Sequence, residues 1–418
     1  MQPMSSEGFR PIVIVTGANS GVGLGICRRL LFQLSSTSGQ CEDALPKYAF
    51  HNTSIPSKEL HPPCDGLTLI LACRSRQRAE AAKRQLYDLL DEHVLRLQCS
   101  PNYDGHAEKF RQNVDIAIHT IDLARVRSVF DFADEVAQTY PYVSHLICNA
   151  GVACFTRIDW PVCFSQLTAN FIDAVTYPKF FLQSSGRISD DGLGWLWQCN
   201  VFGHYVLFRA IEPLLAKCTG SMGSRVIWIS SHEALSERYD PKDWQLIKSN
   251  HSYQSSKYQL NLMVLYLDQE AMKRGAPRHF TMLPGVAGTN IANALLGPIT
   301  YYIMYMAFYV ARFLGSPYHP ISTFKAAIAA VHVALVPLAF LPTTNTASGK
   351  KILRGTPKHL PGGILYVSET DRLGNERVGI MDFVQPTTGE AHALELMENC
   401  DRLLRKFCDV EGRKSPSG

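Results

Sequence analysis

The sequence predicts an α/β fold, a single domain in which helices cover both faces of a doubly wound parallel sheet. Two observations predict this fold. Short apolar runs bounded by turn residues alternate along the chain with segments of helical period. The first apolar run leads directly into a glycine-rich turn and a helix, as in a nucleotide-binding βαβ unit. With 418 residues, 46% hydrophobic and 19% charged, the chain can bury a large core.

Six strands are predicted from the apolar runs, at 12–15, 67–73, 115–121, 145–148, 225–229 and 279–283. Residues 9–345 are expected to form one nucleotide-binding domain. The stretch 35–66 is rich in Ser, Pro and His and is predicted to be a surface insertion, and 156–191 is a second irregular stretch. Residues 346–418 are expected to be a C-terminal extension, with an amphipathic helix over 390–409 and a disordered end.

Composition narrows the classes of partner. The net charge of +4 is small, and its Lys and Arg are scattered, so nucleic acid is not an expected partner. The twelve cysteines form no CxxC pair and no Cys/His ligand rhythm, which predicts reduced thiols and no metal site. The first residues lack the features of a secretory signal. The folded part is therefore expected to face a reducing compartment.

The glycine-rich turn "TGANSGVG" is the first chemical signal. Gly17, Gly21 and Gly23 lie between a strand and a helix, where free backbone amides can meet a phosphate and a Cβ would block its approach. The alternative is a tight structural turn. The strand before it and the helix after it favour dinucleotide binding in a Rossmann-type sheet.

The end of the second predicted strand bears on which dinucleotide is bound. Enzymes that prefer NAD place a carboxylate there, whereas a 2′-phosphate requires cationic and hydroxyl donors. Here "LACRSRQR" offers Arg74, Ser75 and Arg76, which predicts NADP(H), since guanidinium groups bind phosphate in a bidentate manner. The alternative is a solvated basic start of a helix.

Two further strand ends carry polar or small residues. Asp122 follows the third strand, where its carboxylate could accept a hydrogen bond from an adenine amine or could cap the next helix. Asn149, Ala150 and Gly151 close the fourth strand. Small residues there leave room for a cofactor, although Asn149 could also brace the strand ends.

The stretch "YQSSK" places Tyr253 and Lys257 four residues apart at the start of an apolar helix. Residues at this spacing share one helix face. A phenol has a pKa near 10, and a cation within about 4 to 6 Å favours the phenolate. The pair is thus predicted to perform acid/base chemistry in a cleft, because a lowered pKa eases proton exchange. Alone, this spacing usually means a surface contact.

The ordered motifs "TGANSGVG", "NAG", "ISS", "YQSSK" and "LPGVAGTN" resemble those of the short-chain dehydrogenase/reductase family. The resemblance implies that Tyr253 donates a proton to a carbonyl oxygen and that Lys257 holds the nicotinamide ribose and lowers the tyrosine pKa. It also implies that Ser231 orients the carbonyl, with Ser230 as the alternative, and that Asn200 completes a proton relay. The segment between the serine and Tyr253 is longer than the family's common one.

The same resemblance assigns cofactor contacts beyond those already named. Pro284, Gly285, Val286 and Thr289 match the turn that passes the nicotinamide amide, although they could be only a loop. Around the glycine-rich turn, the implied contacts also include Thr16, Asn19, Ser20 and Val22.

A closer resemblance lies in "NVFGHYVLFRAIEPLL", "YQSSKY" and "LACR", which are similar to the 3-keto-steroid reductases of sterol biosynthesis. It implies transfer of the NADPH hydride to C3 of a 4-methyl sterone, giving the 3β-alcohol. It further implies a place on the cytosolic face of the endoplasmic reticulum membrane or on lipid droplets, beside the other sterol C-4 demethylation enzymes. A homodimer is a further expectation. The alternatives are reduction of another lipid carbonyl, such as a 17-keto steroid, retinal or an acyl group, and a non-catalytic NADP(H)-binding scaffold.

An uncharged aromatic run over 294–311 supports an apolar substrate. It lies where the resemblance places a substrate lid, over 286–320. Gly297 and Pro298 interrupt it, and the remainder is shorter than the ~20 residues that span a bilayer. The run is therefore expected to form a lid that also rests on a membrane surface. A helix packed on the core or at a dimer interface is the alternative.

Overall fold

The computed structural model describes residues 10–36, 64–219, 223–289, 297–341 and 359–414. Within these ranges, the chain forms one eight-stranded sheet with the order β10-β9-β8-β7-β4-β1-β2-β3 and a separate ribbon of β5 and β6. The strands are Ile12–Thr16 (β1), Leu67–Cys73 (β2), Val114–Thr120 (β3), His145–Cys148 (β4), Phe155–Ile158 (β5), Phe181–Gln183 (β6), Arg225–Ile229 (β7), Arg278–Leu283 (β8), His359–Thr370 (β9) and Glu376–Pro386 (β10).

The helices cover both faces of the sheet, as the sequence predicts. They are Gly21–Leu34 (α1), Arg76–Gln98 (α2), His106–Gln112 (α3), Val126–Thr139 (α4), Trp160–Ala169 (α5), Phe171–Thr176 (α6), Gly203–Ala216 (α7), Ser252–Arg274 (α8), Pro298–Phe313 (α9), Ile328–Leu335 (α10) and Gly389–Val410 (α11). Helical turns Trp195–Trp197 and Gln198–Phe202, the second of π type, lead into α7, and Thr323–Ala326 precedes α10.

The central strands are buried on both faces. Every residue of β1, β2, β4 and β7 is buried, which is why these strands read as continuous apolar runs rather than alternating ones. Alternate side chains enter two separate cores. Val13 and Val15 pack with α1, α2 and α10, whereas Ile12 and Ile14 pack with α4, α7, α8 and α11.

The C-terminal part of the chain completes the sheet. Strand β9 pairs parallel with β8, with Leu365 opposite Thr281, and antiparallel with β10. The predicted amphipathic helix is present as α11, and it packs on α8. Neither β9 nor β10 was among the strands predicted from the sequence. The insertion at 35–66 lies almost entirely outside the described residues, as do residues 290–296 of the predicted lid and 415–418 of the predicted disordered end.

The irregular stretch 156–191 contains more structure than its sequence pattern indicates. Strands β5 and β6 form an antiparallel ribbon, with α5 and α6 between them. The Asp159 side chain caps the start of α5 by accepting a hydrogen bond from the Val162 amide. The Asn170 side chain caps the start of α6 by accepting a hydrogen bond from a backbone amide of that helix. This ribbon and its two helices lie beside the carboxyl end of the sheet, where they form one wall of the cavity described next.

Candidate active site

A cavity of about 970 Å³ lies at the carboxyl ends of the parallel strands, the edge where open α/β sheets bind ligands. It brings together nearly all of the residues that the sequence analysis selected. Those lining it are Thr16, Gly17, Asn19, Ser20, Gly21, Val22, Arg74, Ser75, Asp122, Asn149, Ala150, Gly151, Ser231, Tyr253, Lys257, Pro284, Gly285, Val286 and Thr289. Gly23 and Asn200 lie behind this surface.

The glycine-rich turn is shaped by close backbone approach. Gly17 and Gly21 have φ angles of 66° and 56°, a region that favours glycine. A Cβ on Gly23 would lie 2.4 Å from the Gly17 carbonyl oxygen, whereas a Cβ on Gly21 would meet nothing nearer than Thr289, at 3.8 Å. Gly23 thus permits the tight turn. Gly21 leaves space in the cavity at the start of α1. A dinucleotide phosphate could therefore approach the backbone of this glycine-rich turn.

Thr16 and Asn149 join the ends of β1 and β4. The Thr16 Oγ1 atom accepts hydrogen bonds from the Asn149 and Ala150 amides, both at 2.9 Å, and the Asn149 side-chain amide donates to the Thr16 carbonyl at 2.9 Å. The buried His204 ring completes the group, with Nε2 2.9 Å from Thr16 Oγ1. Asn149 therefore braces the strand ends, the structural role that the sequence analysis gave as its alternative.

Only part of the basic cluster that follows β2 lines the cavity. Arg74 and Ser75 line it, and Ser75 also caps α2 by accepting a hydrogen bond from the Arg78 amide. Arg76 lies outside the cavity and pairs with Glu80 at 3.7 Å. Arg78 lines the cavity instead. Arg78 was not selected from the sequence, although its place in the first turn of α2, next to the basic motif, was an available signal.

Asp122 both lines the cavity and stabilises the local turn. Its carboxylate accepts a hydrogen bond from the Ala124 amide at 3.1 Å. Helix α4 begins only at Val126 with Arg125 as its N-cap residue, so Asp122 closes the turn before the helix rather than capping the helix itself.

Tyr253 and Lys257 project into the cavity from the first turns of α8. Both are buried, and the Lys257 Nζ atom lies 5.8 Å from the centre of the Tyr253 ring. The ammonium donates a hydrogen bond to the Ile229 carbonyl oxygen at 2.8 Å. The backbone amide of Tyr253 donates to Gln183 Oε1 at 2.9 Å, which anchors the start of the helix to β6.

The pKa of Tyr253 differs from the sequence-based expectation. Burial raises it above its usual value, the charge of Glu233 raises it further, and a hydrogen bond with Ser231 opposes these effects. Lys257 is not among the groups that shift this pKa, and its ammonium donates a hydrogen bond to a main-chain carbonyl. Burial also lowers the pKa of Lys257 to about 8, against the opposing effect of Glu233.

Asn200 lies behind Gly151, within the π-helical turn that precedes α7. Its Oδ1 atom accepts a hydrogen bond from the Val152 amide at 2.8 Å, and its Nδ2 atom donates to the Val152 carbonyl at 2.9 Å and to Ser256 Oγ at 3.2 Å. A Cβ on Gly151 would lie 3.7 Å from both Asn200 Oδ1 and Lys257 Nζ. The amide and the ammonium therefore approach the same small space.

The two candidate serines have different contacts. Ser231 lines the cavity, hydrogen-bonds with Tyr253 and accepts a hydrogen bond from the Glu233 amide at 3.1 Å. Ser230 also lines the cavity, but its hydroxyl donates to the Lys257 main-chain carbonyl at 3.4 Å. This arrangement favours Ser231 as the residue that would contact a carbonyl oxygen.

Polar residues that the sequence analysis did not select surround Tyr253. Glu233 lines the cavity, and its Oε2 atom accepts a hydrogen bond from Gln254 Nε2 at 3.1 Å. Gln254 in turn accepts one from Gln183 at 2.6 Å. Glu233 lies two residues after the predicted serine and Gln254 is next to Tyr253, so proximity to the motifs was the available signal. Nothing in the sequence marked Gln183.

The other end of the cavity is apolar. Its walls come from β5, β6, α5, α6 and one face of α9, with the side chains Phe155, Leu167, Phe181, Met304 and Phe308. Three further residues line the cavity and are also exposed at its rim, namely Trp160, Phe164 and Ile303. The cavity therefore joins a glycine-rich polar end to a wide apolar end, with Tyr253 and Ser231 between them.

Comparisons with known proteins identify the family of this chain. No family model matches the chain. It is 30% identical to the 3-keto-steroid reductase erg27 of Schizosaccharomyces pombe over 328 residues, which cover 78% of this chain and 83% of that protein. It is 29% identical to the 3-keto-steroid reductase erg27 of Aspergillus fumigatus over 405 residues, covering 88% of this chain and 81% of that protein.

A solved alcohol dehydrogenase from the archaeon Thermococcus sibiricus, complexed with 5-hydroxy-NADP, has a TM-score of 0.43 and 18% identity, covering 80% of this chain and 92% of that one. The strand order by itself shows the fold, and the 30% identity to the Schizosaccharomyces pombe protein over most of both chains shows the family. The chain belongs to the 3-keto-steroid reductase family of the short-chain dehydrogenases/reductases, a family of oxidoreductases.

Proposed function

We propose that this protein uses NADPH to reduce the C3 ketone of a 4-methyl sterone to the 3β-alcohol in sterol biosynthesis. One observation carries the proposal. The Tyr253 phenol and the Ser231 hydroxyl meet in a single cavity between the glycine-rich turn and an apolar wall. Such a cavity suits a ligand with one polar group at the end of a large apolar body. The relatives named 3-keto-steroid reductase support this choice among lipid carbonyls.

The protein's own residues supply binding, orientation and proton transfer. Bound NADPH supplies the hydride. Arg74, Ser75 and Arg78 are placed to hold a 2′-phosphate, and the amides at the start of α1 to hold the pyrophosphate. The Ser231 hydroxyl donates a hydrogen bond to the ketone oxygen while the Tyr253 O–H bond breaks and its proton passes to that oxygen.

Lys257 and Asn200 restore the proton that Tyr253 loses. Both approach the space beside Gly151, and Asn200 is held there by two hydrogen bonds with the main chain of Val152. In this proposal, the Lys257 ammonium also holds the nicotinamide ribose. Because its pKa is raised, Tyr253 is protonated at neutral pH and enters the reaction as a phenol.

The proposal places the cavity mouth at a membrane surface on the cytosolic face of the endoplasmic reticulum. Helix α9 presents an outward apolar face formed by Ile299, Tyr302, Ile303, Met306 and Phe313, each more than 60% exposed. Ile303 of this face lines the cavity, as do the exposed Trp160 and Phe164, and an apolar patch of this kind favours membrane contact. Among the described helices, none has both the length and the apolarity to cross a bilayer.

Turnover of a defined substrate tests the proposal. Purified protein in detergent is supplied with a 4-methyl 3-keto sterol and NADPH, and the product is identified by mass spectrometry. The expected product is the 3β-alcohol. Binding of NADPH without turnover would favour a non-catalytic scaffold, and turnover of retinal or a 17-keto steroid alone would move the substrate class to another lipid carbonyl.

Tyr253→Phe is the variant for the chemical step. It should lower turnover by about 10²- to 10⁴-fold, the range typical of a lost general acid, while the NADPH dissociation constant changes little. Tyr258→Phe is the matched control, since Tyr258 is buried in the same helix but does not line this cavity. Wild-type turnover in Tyr253→Phe would remove the tyrosine from its role.

A further inference from the structure

Trp195 is a half-buried aromatic residue in the cavity wall that the proposed mechanism does not use. It begins the helical turn that leads towards α7, and Cys199, four residues further along the chain, lines the cavity with it. The same cavity is lined by Arg74 after β2 and by Asp122 after β3. An indole in a cavity wall provides a flat surface on which a planar ligand can stack.

Three charged groups show which end of the cavity contains Trp195. Burial raises the pKa of the Cys199 thiol to about 12, and the charge of Asp122 raises it further. The charges of Arg74 and Arg187 act in the opposite direction. All three charges therefore lie near one thiol, which is four residues from Trp195. The indole thus lies at the end of the cavity that would hold the adenosine half of NADPH.

Backbone contacts fix the position of the indole. The Trp195 amide donates a hydrogen bond to the Arg187 carbonyl at 2.9 Å. Asp191, in the turn between these two residues, accepts hydrogen bonds at Oδ2 from the Val126 amide at 2.7 Å and from Gln198 Nε2 at 2.5 Å. The turn is thereby joined to the start of α4, which follows β3 in the chain. Contacts within the protein therefore position the indole.

The Arg187 side chain stacks on this indole. Its guanidinium carbon Cζ lies 3.6 Å from the centre of the Trp195 ring, which is a cation–π contact. Arg187 is exposed and does not line the cavity, whereas Trp195 does. The guanidinium thus covers one face of the ring from the solvent side, and the opposite face is available to a ligand in the cavity.

We propose that Trp195 stacks on the adenine of NADPH and that Arg187 is a positioning residue that holds the indole for this contact. The inference rests on the proposed function only in taking NADPH as the cofactor. Stacking suits this position because every base has a flat π face, and a guanidinium adds a cation–π contribution. The contact strengthens binding of the adenosine half of the cofactor and leaves the nicotinamide half, where hydride transfer occurs, unaffected.

The two halves of the cofactor test the inference separately. The compound 2′,5′-ADP contains the adenine, its ribose and the 2′-phosphate, whereas reduced nicotinamide mononucleotide contains the other half. Trp195→Ala should weaken 2′,5′-ADP binding by about 5- to 150-fold, the effect of removing an aromatic side chain that stacks on one base. Binding of reduced nicotinamide mononucleotide should stay unchanged. Calorimetry measures both affinities, and thermal unfolding shows that the variant is folded.

Two conservative variants separate stacking from a structural role. Trp195→Phe keeps a flat ring and should recover most of the 2′,5′-ADP affinity that Trp195→Ala loses. Arg187→Met keeps the length of the side chain but removes its charge, and it should weaken 2′,5′-ADP binding by about two- to fivefold. Arg405→Met is the matched control, because Arg405 is exposed on α11 outside the cavity, and it should leave the affinity unchanged.

Tryptophan fluorescence gives a signature that a purely structural role would not produce. Adenine that stacks on the indole quenches its emission, so 2′,5′-ADP should lower the fluorescence of the wild type but not that of Trp195→Phe. Either of two results would overturn the inference, namely an unchanged 2′,5′-ADP affinity in Trp195→Ala or equal losses of affinity for the two halves. Absence of sterone turnover by the wild type would instead count against the proposed function, because neither binding measurement requires a sterone.

Discussion

At the scale of single residues, the site depends on where a few cations are directed. Lys257 is buried, and its ammonium donates to the Ile229 carbonyl rather than to the phenol. Arg76 and Arg78 are two positions apart, yet Arg76 pairs with Glu80 on the surface while Arg78 lines the cavity. Similar residues in one motif therefore have different surroundings, and their substitutions should differ in effect.

Arg74→Ala is expected to weaken NADPH binding by about 10- to 100-fold, because a charge-assisted hydrogen bond is worth about 1.5–3 kcal/mol. NADH binding should change little, since NADH has no 2′-phosphate. Fluorescence titration of both cofactors measures the difference. Arg76→Ala is the matched control and should leave both affinities unchanged. An equal loss of both cofactors in Arg74→Ala would contradict the assignment of NADPH.

At the scale of elements, two helices near the C-terminal part of the chain differ in what they cover. Helix α9 is apolar on the face that lines the cavity and also on its outward face. Helix α11 has one apolar face, which is buried on α7 and α8, where Phe407 contacts the Phe202 ring and Asp401 accepts a hydrogen bond from Tyr205. Of these two helices, α9 is the one that leaves an apolar face exposed.

Charges on the outward face of α9 should weaken membrane binding. The double variant Tyr302→Glu with Met306→Glu is expected to lower co-sedimentation with liposomes by at least about tenfold, because two charges oppose burial in the lipid interface. Leu95→Glu is the matched control, as Leu95 is 62% exposed on α2. Unchanged binding of the double variant would place the membrane contact elsewhere.

The core-facing side of α11 should contribute strongly to stability. Leu396 is fully buried in the core formed with α7 and α8, so Leu396→Ala should lower the free energy of unfolding by about 2–5 kcal/mol. Leu394, 47% exposed on the same helix, provides the control, and Leu394→Ala should cost much less. Denaturant unfolding measures both. Equal effects would mean that α11 is not part of the cooperative core.

At the scale of the whole molecule, the sheet buries several histidines as neutral rings. Burial lowers the pKa of His145, His204 and His279 to about 3, from an ordinary value of 6.5. They come from β4, α7 and β8, and they hydrogen-bond with Ala334, Thr16 and Trp228 respectively. These buried rings connect separate layers of the fold, and protonating them would place charges in the core.

Stability should therefore fall as the pH drops below about 6.5. A histidine with a lowered folded-state pKa binds fewer protons folded than unfolded, so each such group costs about 1.4 kcal/mol per pH unit below 6.5 until its folded pKa is reached. The carboxyls of Glu212 and Glu233 act in the opposite sense, because burial raises their pKa values. Burial also lowers the pKa of His93, His232 and His319 to about 4, so the histidines outnumber these carboxyls. Urea unfolding between pH 6.5 and 4.5 checks this, and a flat stability across that range would contradict it.

The core strands were predictable because a buried parallel strand needs a continuous apolar run. The six predicted strands coincide with β1, β2, β3, β4, β7 and β8 to within one residue at each end. Helix α11 was predictable from its 3.6-residue period. Strand β9 was not, because Pro361, Gly362 and Gly363 interrupt its pattern and its partner β8 lies about eighty residues earlier in the chain.

The sequence by itself determined the fold class, the family and the motif residues that line the polar end of the cavity. Each of these depends on local order, such as a strand before glycines, or a phenol and an amine one helical turn apart. The tertiary structure alone decided which arginine faces the cavity and that 156–191 forms the apolar wall. It also decided that burial and Glu233, rather than Lys257, dominate the pKa of Tyr253. Burial and charge–charge distances arise only when distant segments pack together, so no local pattern records them.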